Sequence, residues 1–243
     1  MSRSICIVSV FVLISCLASA AQAAERQKNW SDEAELSFVD TAGNTEVSTL
    51  SAKNTLVYRL APDRRIIWKF AALYGETDGE KTAESYFTEL RAEEDLSEQV
   101  GAYLLGGWLK DTFAGVDPRY YVGLGGIYKF LPGPVHLLVG EAGVTYTAEE
   151  YTDNTDKQFV GGRVFMKYEL AFHEKAKFTQ TVEWLPDLEN TDDWLFNSET
   201  AVLAGLNSYL SLKTSYVLKY DNEPVSGLEE TDTILSVALV VNY

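Results

Sequence analysis

Cysteine is nearly absent from this chain of 243 residues, and its position is informative. The two cysteines, Cys6 and Cys16, both lie near the start, inside a segment that we expect to be removed. The rest of the chain has no thiol, which excludes disulfides, thiol catalysis and cysteine-ligated metal there. An exported protein of this kind has to be held together by a large core or by a closed backbone ladder.

Basic residues and histidine are also scarce. The chain has 20 Lys and Arg against 36 Asp and Glu, a formal net charge of −16, and only two histidines. Such a chain repels nucleic acid, whose binding depends on neutralising phosphates. The composition therefore excludes nucleic acid as a partner, and we expect no cofactor.

The N-terminus has the anatomy of a secretory signal. One positive charge precedes an apolar run over 5–18, and Ala21-Gln22-Ala23 is the small-x-small pattern that signal peptidase recognises. The predicted organisation is a signal peptide over 1–23, a short polar lead over 24–29 and one barrel domain over 30–243. The segment Leu13-Ile-Ser-Cys16 loosely resembles a lipobox, which leaves a lipoprotein as the alternative.

Beyond the signal, no apolar run reaches the roughly 18 residues of a membrane helix. Lipid offers no hydrogen-bond partner to open backbone groups, so only a closed barrel could place this chain in a membrane.

The last residues, 232–243, alternate between an apolar and a small polar row. Period two predicts a β-strand. A long strand that is apolar on one side and ends on an aromatic residue is typical of outer-membrane barrels. Leu239, Val241 and Tyr243 would form the C-terminal assembly signal. The alternative is the last strand of a soluble β-sandwich.

The same alternation recurs along the chain in segments of about ten residues, the length of a tilted crossing of a bilayer. The predicted fold is therefore an all-β, antiparallel, up-and-down transmembrane barrel of about twelve strands. The predicted strands are 30–39, 46–60, 65–75, 83–94, 100–110, 119–131, 135–148, 159–170, 176–185, 194–206, 209–220 and 232–243.

Connection length predicts the orientation. Counted from the first, the odd connections are mostly long and acidic (77–82, 149–157, 186–193 and 222–231), and the even ones are tight (61–64, 132–134 and 207–208). Outer-membrane barrels have short periplasmic turns and longer outward loops, so both termini are expected to be periplasmic. Aromatic residues near strand ends would form two interfacial girdles: Trp30, Tyr58, Tyr74, Trp108, Tyr151, Trp184, Trp194, Tyr209, Tyr220 and Tyr243.

Charged residues fall on the rows that would face the bore. If they pair across it, the barrel is closed and structural; if they stay partly unpaired, they line a narrow water-filled channel. The residues concerned are Lys53, Arg59, Lys69, Glu89, Arg91, Glu93, Arg163, Lys167, Glu169, Lys213 and Lys219, with Glu183 and Asp221 on the same rows. Glycines at 106, 107, 123, 125 and 126 require either sharp curvature or a crowded lumen.

The sequence gives little support for a catalytic or metal-binding function. His136 and His173 both fall at predicted periplasmic turns, and neither has the Ser and orienting acid that a lipid hydrolase needs. Acid pairs such as Glu149-Glu150, Asp192-Asp193 and Glu229-Glu230 could bind Ca²⁺ or Mg²⁺, or could be solvated loop charges. We expect no catalytic or metal-binding residues.

Several segments resemble the salt-induced outer-membrane protein family, a family of unknown function in Gram-negative bacteria. They are 111–119 (DTFAGVDPR), 123–128 (GLGGIY), 141–143 (EAG), 215–224 (SYVLKYDNEP) and the pair Asp232-Thr233, and the resemblance extends over about 30–243. It implies an outer-membrane β-barrel and brings no catalytic residues; the name hints at a salt or osmotic response.

The sequence thus predicts an exported outer-membrane barrel that is structural or a narrow pore for ions or small solutes. Its expected partners are outer-membrane lipid and lipopolysaccharide, with periplasmic chaperones and the barrel-assembly machinery during biogenesis. Divalent cations at the acidic loops are a further candidate. The alternatives are a lipid-active outer-membrane enzyme and a soluble periplasmic β-protein.

Overall fold

The computed structural model describes residues 29–41, 47–112 and 114–243. The predicted signal peptide and all but the last residue of the predicted polar lead lie outside the described residues. In the described ranges no helix is long and apolar enough to cross a membrane.

The described residues form twelve β-strands, one for each alternating segment of the sequence, as predicted. Numbered β1 to β12, they are Trp30–Thr41, Val47–Ala61, Arg64–Thr77, Glu80–Asp95, Val100–Asp111, Val116–Pro132, His136–Tyr151, Asp156–His173, Ala176–Pro186, Trp194–Gly205, Leu210–Asp221 and Thr231–Asn242.

Every strand pairs with its neighbours in the chain, and β1 pairs antiparallel with β12, so the sheet closes on itself. The closing ladder runs from Glu33 opposite Asn242 to Leu36 opposite Leu239. Below it, Asp32 and Tyr243 exchange two backbone hydrogen bonds of 3.2 and 2.9 Å. The predicted all-β, closed, antiparallel barrel is confirmed, and closure leaves no exposed sheet edge along these pairs.

Alternation along each strand separates two surfaces. On β12, the side chains of Leu235 and Val237 are 75% and 55% exposed on the outer wall, whereas Ala238 and Val240 are buried inside. The outer wall therefore carries the apolar band of a membrane barrel, and the polar rows face the bore.

The predicted sorting of loop lengths is only partly correct. The connections over 187–193 and 222–230 are long, but β3 and β4 are joined by the two-residue turn Asp78-Gly79, where a six-residue loop was predicted. Both turn residues have positive φ, 52° and 83°, which is the geometry of a tight hairpin. Likewise the loops predicted over 149–157 and 111–118 shrink to 152–155 and 112–115, because polar residues continue the flanking strands.

One side of the bore contains a small apolar core. Tyr103, Leu105 and Ile127 are buried there, with Tyr121 and Val139 packed against them. The glycines opposite make room: a Cβ on Gly107 would lie 2.4 Å from the Tyr121 ring. This confirms a crowded lumen as the reason for the inward glycines, whereas Gly106 and Gly126 face outward into open space.

Most aromatic residues predicted to form the girdles lie on the outer wall. Trp30, Tyr58, Trp184 and Tyr209 are exposed there. Tyr151 is the exception, because it lies on the lumenal face of β7 and its hydroxyl donates to Glu149. Its assignment to a girdle was wrong.

Candidate functional site

The centre of the bore is occupied by two arginines that share one carboxylate. The guanidinium of Arg91 on β4 donates to both oxygens of Glu141 on β7, at 2.9 and 2.8 Å, and its Nε donates to Glu93 at 2.6 Å. Arg163 on β8 donates to the same Glu141 carboxylate at 2.6 Å. Bidentate pairs of this kind are among the strongest charge-assisted hydrogen bonds.

Neighbouring groups complete this cluster. Arg163 also donates to Glu183 at 2.7 Å and to the hydroxyl of Tyr103 at 3.2 Å. The Tyr103 ring centroid lies 4.1 Å from the guanidinium carbon of Arg91 and 5.4 Å from that of Arg163, within cation–π range. We call Arg91, Glu93, Tyr103, Glu141, Arg163 and Glu183 the central cluster.

A second group lies beside the central cluster. Lys69 on β3 donates to Glu89 on β4 at 2.9 Å, and the hydroxyl of Tyr121 donates to the other Glu89 oxygen at 3.1 Å. Glu89 is thus held by one charge and one hydroxyl, and Tyr121 links it to the apolar core.

A third group of ion pairs lies inside the bore between β1, β2, β10 and β11. Lys213 lies 2.8 Å from Glu35 and 2.7 Å from Glu199, and Lys53 lies 3.8 Å from both carboxylates. Two lysines therefore face two glutamates, and the local charges balance.

The remaining predicted residues lie towards the ends of the bore. Lys219 pairs with Asp111 at 3.0 Å near the loop end, and Lys167 pairs with Glu169 at 2.7 Å near the end that carries the termini. Arg59 is exposed at that same end, opposite Arg65 in the ladder. No ion pair of Arg59 occurs within the described part of the chain.

Several partners were missed by the sequence reasoning. Glu35, Asp111, Glu141 and Glu199 occupy the inward rows, and so does Arg119, which pairs with Glu149. Their signal was the same period-two position as that of the predicted residues. Glu149 was predicted in an acidic loop; it lies instead on β7, buried at 4% exposure.

A cavity of about 460 Å³ lies inside the bore at the end that carries the termini. It is lined by Lys167, Lys177 and Lys213, by Glu169 and Glu199, and by the hydroxyls of Thr55, Thr179 and Thr181. This polar vestibule leads to the third ion-pair group, because Lys213 and Glu199 belong to both.

Several acids of the connections between strands are bonded to protein groups. Within the described ranges no three His, Cys, Asp or Glu side chains cluster in a way that could hold a metal ion. Asp193 pairs with Lys157, and Glu230 accepts a hydrogen bond of 3.2 Å from Tyr220. Asp153 accepts from the backbone and hydroxyl of Thr155 at 2.9 and 2.6 Å.

Asp187 anchors the connection over 187–193. Burial of this carboxylate opposes its ionisation, but the ammonium of Lys157 at 2.6 Å and the backbone N–H groups of Glu189 and Asn190 outweigh burial. Together they hold the pKa of Asp187 below its ordinary value.

The two histidines do not form a catalytic arrangement with a serine. The ring of His136 lies 2.9 Å from the Tyr168 hydroxyl, and His173 accepts the backbone N–H of Lys175 in its own turn. The predicted assembly residues are at the seam: Leu239 and Val241 pair with Leu36 and Ala34 of β1, and Tyr243 bonds to Asp32.

Comparison with solved structures shows the fold. The chain is similar to an outer-membrane channel from Pseudomonas putida F1, described as COG4313, with a TM-score of 0.57, 10% identity and coverage of 92% of this chain and 98% of that one. It is also similar to the NanC porin, with a TM-score of 0.51, 6% identity and coverage of 87% and 97%. The fold of the chain is therefore that of an outer-membrane β-barrel.

In sequence, the chain is 28% identical over 232 residues to the uncharacterized protein YdiY of Escherichia coli (strain K12), covering 95% of this chain and 88% of that protein. A family model described as "protein of unknown function, DUF481" matches residues 34–243. The chain therefore belongs to the DUF481 family.

Proposed function

We propose that this protein is a narrow pore for ions or small solutes, with the central cluster as its constriction. The observation that carries the proposal is the burial of the cluster: the side chains of Arg91, Glu141 and Arg163 are 4%, 8% and 7% exposed in the middle of a polar bore. The polar vestibule lies below the central cluster, and the ion pairs of the cluster narrow the bore above it.

The balance of charges inside the bore supports a narrow pore and not a wide one. Each buried cation of the constriction has a carboxylate within 3 Å, so opposite charges bridge strands that lie far apart in the sequence. A solute that passes has to move between these groups or displace a pair. Breaking such an ion pair without replacing it costs several kcal/mol. Large solutes would therefore pass through the bore poorly.

Single-channel conductance in planar bilayers tests the proposal. We expect a small unit conductance for the wild type and a several-fold larger one when Arg91, Glu141 and Arg163 are all replaced by Ser, since the side chains that fill the middle of the bore are then removed. Glu93 keeps its ion pair with Arg65, and Glu183 loses its arginine. The double variant Lys110→Ser/Asp117→Ser, which removes an ion pair of 2.6 Å near the loops, is the matched control and should conduct like the wild type.

A wide conductance in the wild type, or no change in the triple variant, would overturn the constriction. A wild type that does not conduct, with a triple variant that does, would favour the second candidate, a closed structural barrel. The completeness of the ion pairing is the observation that supports this candidate.

A non-enzymatic role is part of the same proposal. The surroundings of His136 and His173 support it, since the His136 ring contacts the Tyr168 hydroxyl and the His173 ring accepts a hydrogen bond from the backbone of its own turn. Activity against phospholipid in detergent that disappears in His136→Ala would contradict it.

The route to the membrane completes the proposal. We expect signal peptidase to remove residues 1–23, periplasmic chaperones and the barrel-assembly machinery to deliver the chain, and lipopolysaccharide to contact the outer wall. The N-terminal anatomy and the apolar outer wall support these expectations. Divalent cations could bridge the acidic loops, where the paired acids keep the outer surface negative.

A further inference from the structure

The sheet has one interruption beside the central cluster. β8 and β9 pair only from the turn up to Val164 opposite Trp184. Beyond that point, residues 156–163 of β8 are joined to the next segment by one isolated β-bridge, between Gly161 and Asp187. One backbone hydrogen bond of 3.0 Å, from the N–H of Leu188 to the carbonyl of Val160, adds to it. The outer part of this junction is therefore held by fewer backbone hydrogen bonds than the part near the turn.

Proline is the reason for the interruption. Continuing the register places Pro186 opposite Gly162, and proline has no N–H to donate. Peptide groups alternate in direction along a strand, and the carbonyl of Val160 points to this edge. The carbonyl of Gly162, two residues on, then points to the same edge and receives no ladder hydrogen bond from Pro186.

A cavity of about 550 Å³ lies on the outer wall at this interruption. Small residues, Ala142 and Gly162, hollow its floor, and Val164, Trp184 and Leu188 form its sides. Its volume is within the range of ligand sites, and its lining is apolar apart from a few polar groups. Elsewhere the outer wall carries large side chains such as Leu90 and Leu124.

The connection over 187–193 covers the outer end of this cavity. Asp187 is 2% exposed and is held by Lys157 and by two backbone N–H groups of its own turn. Glu189 in turn accepts from the backbone N–H of Val160 at 3.4 Å. The cavity is thus a built site with a fixed roof rather than a gap in a mobile loop.

We propose that this cavity binds one acyl chain of a membrane lipid. Its position decides the occupant: it opens on the apolar wall that contacts hydrocarbon, and exposed Val164 and Trp184 lead into it. An acyl chain fills the hollow over Ala142 and Gly162, and an amide or hydroxyl group near the start of the chain can donate to the unpaired carbonyl of Gly162. An unsatisfied carbonyl in hydrocarbon is costly, so this donor adds to the affinity.

The probe is a ceramide with a diazirine in the middle of its amide-linked acyl chain, in vesicles that contain the full-length barrel domain. After irradiation, peptide mass spectrometry locates the crosslinks. We expect them to concentrate on Val164, Trp184 and Leu188 relative to Trp68 and Leu90, which are equally exposed on another part of the wall.

Filling the cavity should remove this preference. Gly162→Leu should lower the crosslinks at the site by about tenfold, which corresponds to the loss of a modest binding free energy. Gly106→Leu is the control, because Gly106 faces outward on β5, opposite Leu90 and Val122 and away from the cavity. Since a Cβ on Gly162 would lie 3.1 Å from Pro186, Ala142→Leu provides a second filling variant from β7.

Heat-modifiable migration on gels checks that each variant is folded. Even labelling around the barrel, or filling variants that fold and retain the wild-type crosslinks, would overturn the proposal. Neither result depends on conductance, so the failure of the acyl site and the failure of the pore are distinguishable.

Discussion

At the scale of single residues, Glu141 is the group on which the bore depends most. It accepts three hydrogen bonds from the two arginines of the central cluster, two from Arg91 and one from Arg163. Gly143, the next residue on the inward face of β7, has no side chain, and a Cβ there would lie 2.5 Å from the Tyr103 hydroxyl oxygen.

Glu141→Gln should lower the free energy of unfolding by about 3–5 kcal/mol, because it leaves two buried cations without their shared charge. Urea unfolding in lipid vesicles measures this. Glu94→Gln removes the carboxylate of an exposed pair with Arg64, 44% and 57% exposed, and should cost at most about 1 kcal/mol. Equal effects of the two changes would contradict the role given to Glu141.

Gly125 gives a second residue-scale prediction. A Cβ there would lie 2.4 Å from the carbonyl oxygen of Ala142 and 2.6 Å from the Tyr103 hydroxyl, so Gly125→Ala should destabilise the barrel by about 1–3 kcal/mol. The adjacent Gly126→Ala faces open space and should be close to neutral. The same unfolding assay compares them, and a neutral Gly125→Ala would show that the wall can yield.

At the scale of elements, the sequence predicted every strand and the correct face of most residues. Period two in hydrophobicity is a strong signal when one face contacts lipid and the other a polar bore. The ends of the strands were less predictable. Beyond the membrane the hairpins continue with charged residues, and these do not alternate with apolar ones. The Asp78-Gly79 turn carried a recognisable hairpin signal that the flanking charges obscured.

The last strand ends on a ring that we expect to speed assembly. Tyr243→Ala keeps the backbone bonds to Asp32 but removes the interfacial aromatic side chain, so folding into vesicles from urea should slow several-fold. The fraction of heat-modifiable protein over time measures the rate. Tyr209→Ala, an exposed aromatic at the same end, is the control, and equal rates would contradict a special role for the terminus.

The connection over 187–193 should respond to acid. The pKa of Asp187 is lower when folded, so its contribution to stability is present above its ordinary value of about 3.9 and is lost as pH falls through the folded value. The wild type should therefore be more stable than Asp187→Asn from neutral pH down to about pH 4, and the difference should disappear below it.

Unfolding free energies of the two proteins between pH 3 and pH 7 test this expectation. Lys157→Met, which removes the charge that holds Asp187, should narrow the difference at neutral pH. A difference that does not narrow between pH 4 and pH 3 would mean that the carboxylate charge is not what stabilises the turn.

At the scale of the whole molecule, the pairing across the bore could not be predicted. The inward rows follow from the sequence, but Arg91 and Glu141 are 50 residues apart and Lys213 and Glu35 are 178 apart. Which inward charges meet depends on the curvature and stagger of the closed sheet, which alternation does not encode. The site was therefore predictable as a set of residues and not as a set of contacts.

Closure itself can be tested because the barrel domain over 30–243 has no cysteine that could interfere. Glu33→Cys/Asn242→Cys places two thiols at opposed positions of β1 and β12. Oxidation should join the first and last strands, so that the heated protein migrates differently before and after reduction. Glu33→Cys alone should show no change, and a double variant that resists oxidation would contradict the seam.

The short seam has a consequence for how copies of this protein behave in a crowded membrane. Among the described residues, β1 and β12 share four ladder pairs, whereas β2 and β3 share fourteen, so the circle is joined most weakly where its two ends meet. The two ends come together only after the whole polypeptide has been delivered, and until then each presents an unsatisfied edge. A copy arrested at that stage would pair with a neighbour's edge, so domain-swapped dimers are the expected by-product of overproduction.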